Sequence, residues 1–210
     1  MELVNYLIEK RWLKTPLIIE AFRKIERKDF MPEEIKYLAE IDEPMPIGYG
    51  QTISQPAVVA FMLEELEPKP GEKILDIGSG SGWTTALLSY IVSKKKGGKV
   101  IALEIIPELK EFGEKNTAKY NFIKKGIAKF FLLNGQNGCP REAPFDKILS
   151  SAAVEKKVPE SWKKQLKEKG KIVAPVGEAI VSIKREGNNF QEKVFPGFLF
   201  VPLVSDNEQK

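Results

Sequence analysis

The chain has 210 residues, 42% hydrophobic and 30% charged, with 33 Lys and Arg against 29 Asp and Glu and a net charge of +4. These are globular proportions that exclude disorder, and the charges are intermixed rather than gathered into a basic block, which argues against nucleic acid as a partner. The chain lacks histidine and has one cysteine, Cys139, so histidine triads, histidine or all-cysteine zinc sites and an internal disulfide framework are excluded, and no metal is expected.

The opening MELVNYLIEKRWLK scatters charges among its apolar residues and lacks a signal-peptide core, and no apolar run approaches the ~20 residues that cross a bilayer. A cytoplasmic protein without membrane contact is expected, and a monomer is the simplest state. Apolar spacing predicts helices over 2–13 and 16–28, the second carrying Leu17, Ile18, Ala21, Phe22 and Ile25 behind Pro16. From Ile41 to Pro56, Pro44, Pro46, Gly48 and Gly50 stand among polar residues and predict an ordered loop. Helices then alternate with strands: helix 56–66, strand 73–77, helix 81–92, strand 99–104 and helix 107–120, followed by strands 128–133 and 145–150, helix 159–167 and strand 170–175. Lys94 to Lys96 read as a solvated turn. After Gly177 the pattern is strand, turn at Asn188-Asn189, strand, ending at 200–203, and Ser205 to Lys210 are expected to fray.

Short apolar strands alternating with helices imply an α/β fold: a Rossmann-like, doubly wound, mostly parallel sheet with helices on both faces and an antiparallel C-terminal edge. One domain over 1–210 is expected, divided into a helical segment (1–45), a loop for substrate and cofactor (46–56) and the core (57–204).

LDIGSGSGW at 75–83 follows a strand and opens a helix, the context of a glycine-rich ligand loop. Gly78, Gly80 and Gly82 permit tight turns, and their amides with the helix N-terminus suit an anionic group, a methionine carboxylate rather than a pyrophosphate. Trp83 stands where a dinucleotide fingerprint needs its third glycine, and the P-loop lysine is missing. Glu104, at the end of the next strand, is placed to accept hydrogen bonds from both ribose hydroxyls of a nucleoside.

PIGYGQTISQP at 46–56, LDIGSGSGW at 75–83, Glu104 in ALEIIPEL, APFD at 143–146, QLKEKGKIVAPVG at 165–177 and FVPL at 200–203 together resemble the protein-L-isoaspartate (D-aspartate) O-methyltransferases, a family of class I S-adenosylmethionine-dependent enzymes. PIGYGQTIS is the specific segment, since many methyltransferases share the other two features. The resemblance implies methylation of the free carboxylate of an isoaspartyl or D-aspartyl residue in a damaged protein. The ester then collapses to a succinimide, whose hydrolysis restores part of the material to normal aspartyl linkage. It implies Ser54 as the catalytic-site serine, orienting the substrate carboxylate without becoming a covalent nucleophile. It further implies S-adenosylmethionine held by Gln51, Thr52, Ile53, Asp76, Gly78, Ser79, Gly80, Gly82, Glu104, Asn134 and Gly135. Where the family has Gly-Asp-Gly this chain has Leu133-Asn134-Gly135, whose asparagine carbonyl can accept the adenine amino group without charge assistance. Ser54 is also placed to cap the helix starting at Pro56. The other readings are a methyltransferase of a small molecule or RNA, and a noncatalytic S-adenosylmethionine-binding module.

Overall fold

A computed structural model describes residues 2–203; the end expected to fray, 205–210, and residue 204 of the expected core lie outside them. Helices α1 (Glu2–Glu9), α2 (Pro16–Lys24), α3 (Pro56–Leu66), α4 (Trp83–Val92), α5 (Pro107–Ala118) and α6 (Glu160–Gln165) are interleaved with strands. The first two strands, β1 (Met45–Gly48) and β2 (Gln51–Ile53), form an antiparallel hairpin. The others, β3 (Lys73–Ile77), β4 (Lys99–Glu104), β5 (Ala128–Leu132), β6 (Phe145–Ser150), β7 (Leu166–Val176), β8 (Ala179–Glu186) and β9 (Asn189–Pro196), make one sheet in the order β5-β4-β3-β6-β7-β8-β9. It is parallel from β5 to β7 and antiparallel at the β8 and β9 edge, as the alternation of patterns implied.

The strand residues sort by parity, as the two-residue period of a pleated sheet requires. Ile74, Val100, Ala102 and Leu149 join the core under α1 to α5, while Leu75, Ile77, Ile101, Leu103 and Ile148 join a second core that holds Trp162 of α6. The helices of consecutive right-handed crossovers fall on one side, which leaves the other to the six-residue α6 and short 3-10 turns. Sandwiched between the sheet and the N-terminal helices, α4 is apolar around most of its circumference, and nine of its ten residues are buried.

Several boundaries differ from expectation. The helix expected over 2–13 ends at Glu9, because Arg11 turns the chain at φ +61° and brings Leu13, 1% exposed, into the core. That expected over 16–28 ends at Lys24; Ile25 is extended, and a 3-10 turn over Arg27–Phe30 lets both Ile25 and Phe30 reach the interior. The loop expected at 41–56 contains the β1-β2 hairpin, whose tip runs through Gly48, Tyr49 and Gly50, all at positive φ. The helix expected over 159–167 yields to β7 at Leu166, which pairs with Phe145 before a register shift. The final hairpin turns at Gly187-Asn188, since Glu186 pairs with Asn189 and Gly187 supplies φ +64°. Ser54 does not cap α3: the N-cap is Gln55, and Asp42 Oδ1 accepts from Ala57 N at 2.8 Å.

The parallel β3-β4 register, with Ile77 opposite Leu103, brings the glycine loop beside the end of β4. Here Gly82 has φ +85°, and a Cβ on it would stand 2.5 Å from Gly113 O and 2.7 Å from Thr117 Oγ1 of α5. Left-handed backbone costs a non-glycine residue about 1–2 kcal/mol, and overpacking typically adds 1–3 kcal/mol. Gly82→Ala is therefore expected to destabilise the fold by about 2–5 kcal/mol, read as a lower urea midpoint at unchanged slope; an unshifted midpoint would contradict this packing.

Candidate active site

The chain order reverses between β3 and β6, and open α/β sheets bind ligands in the crevice beyond the carboxyl ends of strands at such a switch point. A cleft lies there, walled by the glycine loop (Gly78 to Ser81), Glu104 to Ile106, the hairpin residues Gln51 to Ser54, Ser151-Ala152 and the returning segment 201–203. Two mutual hydrogen bonds bring that last segment home: Ala153 N donates to Val201 O and Leu203 N to Ala153 O, both at 2.8 Å.

Glu104 is 6% exposed, yet its carboxylate meets three backbone donors. Oε2 accepts from Gly80 N at 2.8 Å, and Oε1 from Ile105 N at 2.8 Å and Ile106 N at 3.1 Å. Gly78 N and Ser79 N both donate to Leu103 O, so the glycine loop is tied twice to the end of β4. The residues lining the cleft include no lysine, arginine, tyrosine or cysteine, and Glu104 is the one acid or base among them.

The sequence-derived candidates fall into two sets. Gln51, Thr52, Ile53, Ser54, Gly78, Ser79, Gly80, Glu104 and Gly135 line the cleft. Asp76, Gly82 and Asn134 stand behind the lining. Asp76 is wholly buried and accepts from Thr85 Oγ1 of α4 at 2.6 Å; Gly82 is the N-cap of α4. Asn134 Oδ1 accepts from Gln136 N at 2.9 Å, while its neighbours Leu133 and Gly135 form the wall. Trp83, Thr84, Ser151 and Ala152 also line the cleft, and sequence reasoning did not select them. Ser151 and Ala152 carried one signal, their position just past the strand that neighbours β3 across the switch point.

Does the cleft suit an adenosyl ligand? Ser79 Oγ and Trp83 Nε1, both in its wall, are buried without a hydrogen-bond partner, as is Asp76 Oδ1 beneath it. Unmet buried polar groups are costly, so the two wall atoms, Ser79 Oγ and Trp83 Nε1, mark a surface made for a polar ligand. A carboxylate surrounded by neutral residues suits a ligand with hydroxyls and a positive centre, and the absence of any cation disfavours a polyphosphate.

Burial pushes the Asp76 carboxyl up to about 7; the Thr85 hydrogen bond works against the rise and the Glu104 charge adds to it. Above the ordinary value of 3.8 and below about 7, the folded chain keeps a proton that the unfolded chain releases. Stability contributed by this group is thus complete below about pH 4 and is lost as pH rises through about 7, with a slope of at most ~1.4 kcal/mol per pH unit. Asp76→Asn, which can still accept from Thr85, is expected to remove this slope and to exceed the parent in stability at pH 8. Denaturant titrations of both proteins from pH 4 to 8 check it; parallel curves would refute it.

A family model for protein-L-isoaspartate(D-aspartate) O-methyltransferase matches residues 1–208. Protein-L-isoaspartate O-methyltransferases from Methanopyrus kandleri and Staphylothermus marinus are 39% and 38% identical, each over 97% of this chain and over 90% and 92% of their own lengths. The fold matches a Plasmodium falciparum structure designated protein-L-isoaspartate O-methyltransferase, solved in complex with S-adenosyl-L-homocysteine, with a TM-score of 0.86, 25% identity and 96% of each chain covered. Sequence, fold and cleft agree, and the chain belongs to the protein-L-isoaspartate(D-aspartate) O-methyltransferase family.

Proposed function

We propose that this enzyme moves a methyl group from S-adenosylmethionine to the free carboxylate of L-isoaspartyl or D-aspartyl residues in damaged proteins, with Ser54 orienting the acceptor. The observation that carries this reading is the charge inventory of the cleft, one glutamate and no other acid or base. An ionised carboxylate attacks without first losing a proton, so this chemistry needs no general base. S-adenosylmethionine, when bound, supplies a methyl group already activated by its positive sulfur.

The protein's task is placement. Glu104 accepts from the ribose hydroxyls, the Ser79 hydroxyl and the N-terminus of α4 meet the methionine end, and Gln51, Thr52 and Ile53 close the wall. The Asn134-Gly135 turn stands at the adenine. Asp76 and Gly82 act from behind, supporting the loop and the start of α4. Ile53, Leu103, Leu109 and Val201 keep water from the reacting atoms. Ser54, Thr52, Ser151 and Val201 also border a second groove, formed with Pro44, Val58, Leu199 and Phe200. Ser54 therefore stands at the junction of two cavities, where a serine can hold a peptide carboxylate against the donor.

Among the described residues no helix is long and apolar enough to cross a membrane and no cluster suits a metal. We place the enzyme in the cytoplasm as a monomer, a setting that suits its buried, unpaired Cys139.

Labelled cofactor and a matched pair of peptides, one isoaspartyl and one aspartyl, test the assignment: transfer is expected to the isoaspartyl peptide alone. Equal labelling of the two would point to another carboxyl substrate, and binding without transfer to a noncatalytic module. Glu104→Gln forfeits charge-assisted bonds worth about 1.5–3 kcal/mol and faces backbone donors with an amide, so its cofactor Kd is expected to rise roughly 10- to 100-fold by calorimetry. An unchanged Kd would remove Glu104 from the ribose site.

A further inference from the structure

The strongest unexplained feature outside the cleft is a buried arginine. Arg27 is 5% exposed and makes no ion pair among the described residues. Its guanidinium faces backbone carbonyls instead: Nη1 donates to Ala39 O at 3.3 Å and Ile41 O at 3.0 Å, and Nη2 to Glu43 O at 2.7 Å and Ser54 O at 3.3 Å. The group also lies 5.6 Å from the ring centroid of Trp83, a residue of the cleft wall. Burial lowers its pKa to about 10, against the pull of Asp42, so it remains charged at neutral pH.

A buried charge without a direct ion pair is expensive, and a hydrophobic side chain would fill the space at less cost. What an apolar group cannot do is gather separate carbonyls. The planar guanidinium presents donors in a fixed fork and here ties the turn at 39–43 to the end of the hairpin strand. Its own turn is anchored in turn: Tyr120 OH accepts from Glu26 N at 3.0 Å and donates to Asp29 Oδ2 at 2.6 Å. The same 39–43 segment supplies Asp42, which meets the first turn of α3 through Ala57 N. Ser54 is thus held by its own carbonyl on one side and, through Gln55, by the start of α3 on the other.

We propose that Arg27 is a positioning residue for methyl transfer: by clamping Ser54 O and the carbonyls of 39–43, it fixes where the Ser54 hydroxyl stands between cofactor cleft and substrate groove. The inference rests on the role assigned to Ser54 above. It involves no contact of Arg27 with either ligand, so it calls for a fall in kcat without loss of cofactor affinity. Lysine keeps the charge but is a point donor that cannot span the four carbonyls.

Arg27→Lys, Ser54→Ala, the double variant and Ile18→Val, a mild truncation in α2 away from the clamp, are assayed with the isoaspartyl peptide below their melting temperatures, with folded fractions measured by circular dichroism. Arg27→Lys is expected to lose about 10- to 100-fold in kcat, the scale of a misplaced reacting group, with the KM for S-adenosylmethionine near that of the parent. The double variant is expected to fall no lower than the poorer single variant, because both act on one hydroxyl. Ile18→Val loses stability but keeps its kcat. A normal kcat in Arg27→Lys with Ser54→Ala impaired, or losses that multiply in the double variant, would overturn the positioning role alone. Full activity in Ser54→Ala would overturn the reading of Ser54, a result distinct from either.

Discussion

Three backbone N–H groups converge on the carboxylate of Glu104, and the site is assembled around that convergence. A nearly enclosed carboxylate is tolerable only when donors replace the water it has lost, and here they come from both loops that flank the cleft. The bond to Gly80 N makes the glycine loop answer to the tip of β4, while Leu103 O receives the amides of Gly78 and Ser79. The bonds between the glycine loop and β4 require that β3 and β4 run parallel with Ile77 opposite Leu103. The ligand cleft is in this sense a property of one strand pair, and the remaining elements keep that pair in place and close the walls.

The division of apolar residues between the two sides of the sheet explains how the pair is held. The α1 to α5 side carries the larger core and also the polar groups that serve the site from behind, Asp76 and Thr85 among them. The N-terminal helices add more than bulk, since without them α4 would expose the apolar face it turns away from the sheet. They also carry the chain into the turn of Arg27, so the packing that covers α4 delivers a cation to the base of the β1-β2 hairpin. Stability and site geometry are coupled through the same segment.

The parts legible in the sequence were those set by local rules. Strands β3, β4 and β6 and helix α3 fall where apolar runs and a leading proline put them, and LDIGSGSGW between strand and helix placed the ligand loop. The β1-β2 hairpin was not legible as strands, because Pro46, Gly48 and Gly50 are turn residues by local preference and its strands of four and three residues hold only by pairing with each other. Arg27 was invisible for another reason: in an amphipathic stretch one arginine looks solvated, and only the return of 39–43 and of Ser54 from further along the chain encloses it. The same applies to the segment that ends at Leu203, whose closure of the cleft depends on pairing with Ala153 across a sequence separation no periodicity reports. Asn134 was reached only through the family resemblance, and the partner of its carbonyl, Gln136 N, is visible only in the fold.

The placement of charge then follows one logic across the molecule. A donor with a positive sulfur and an acceptor that is an anion attract one another, so a fixed cation in the cleft would repel the donor and a second fixed anion the acceptor. The protein keeps a single carboxylate there and commits it to backbone amides through directional hydrogen bonds, and the remaining wall is neutral. Its nearby cation, Arg27, is caged by carbonyl oxygens whose partial negative charge faces the guanidinium. Asp76, directly beneath the cleft, is driven toward its neutral form by the same burial and by the presence of Glu104. A reaction that moves no proton at its central step has little use for titrating groups, and a cleft with one acid or base in a chain without histidine is suited to it.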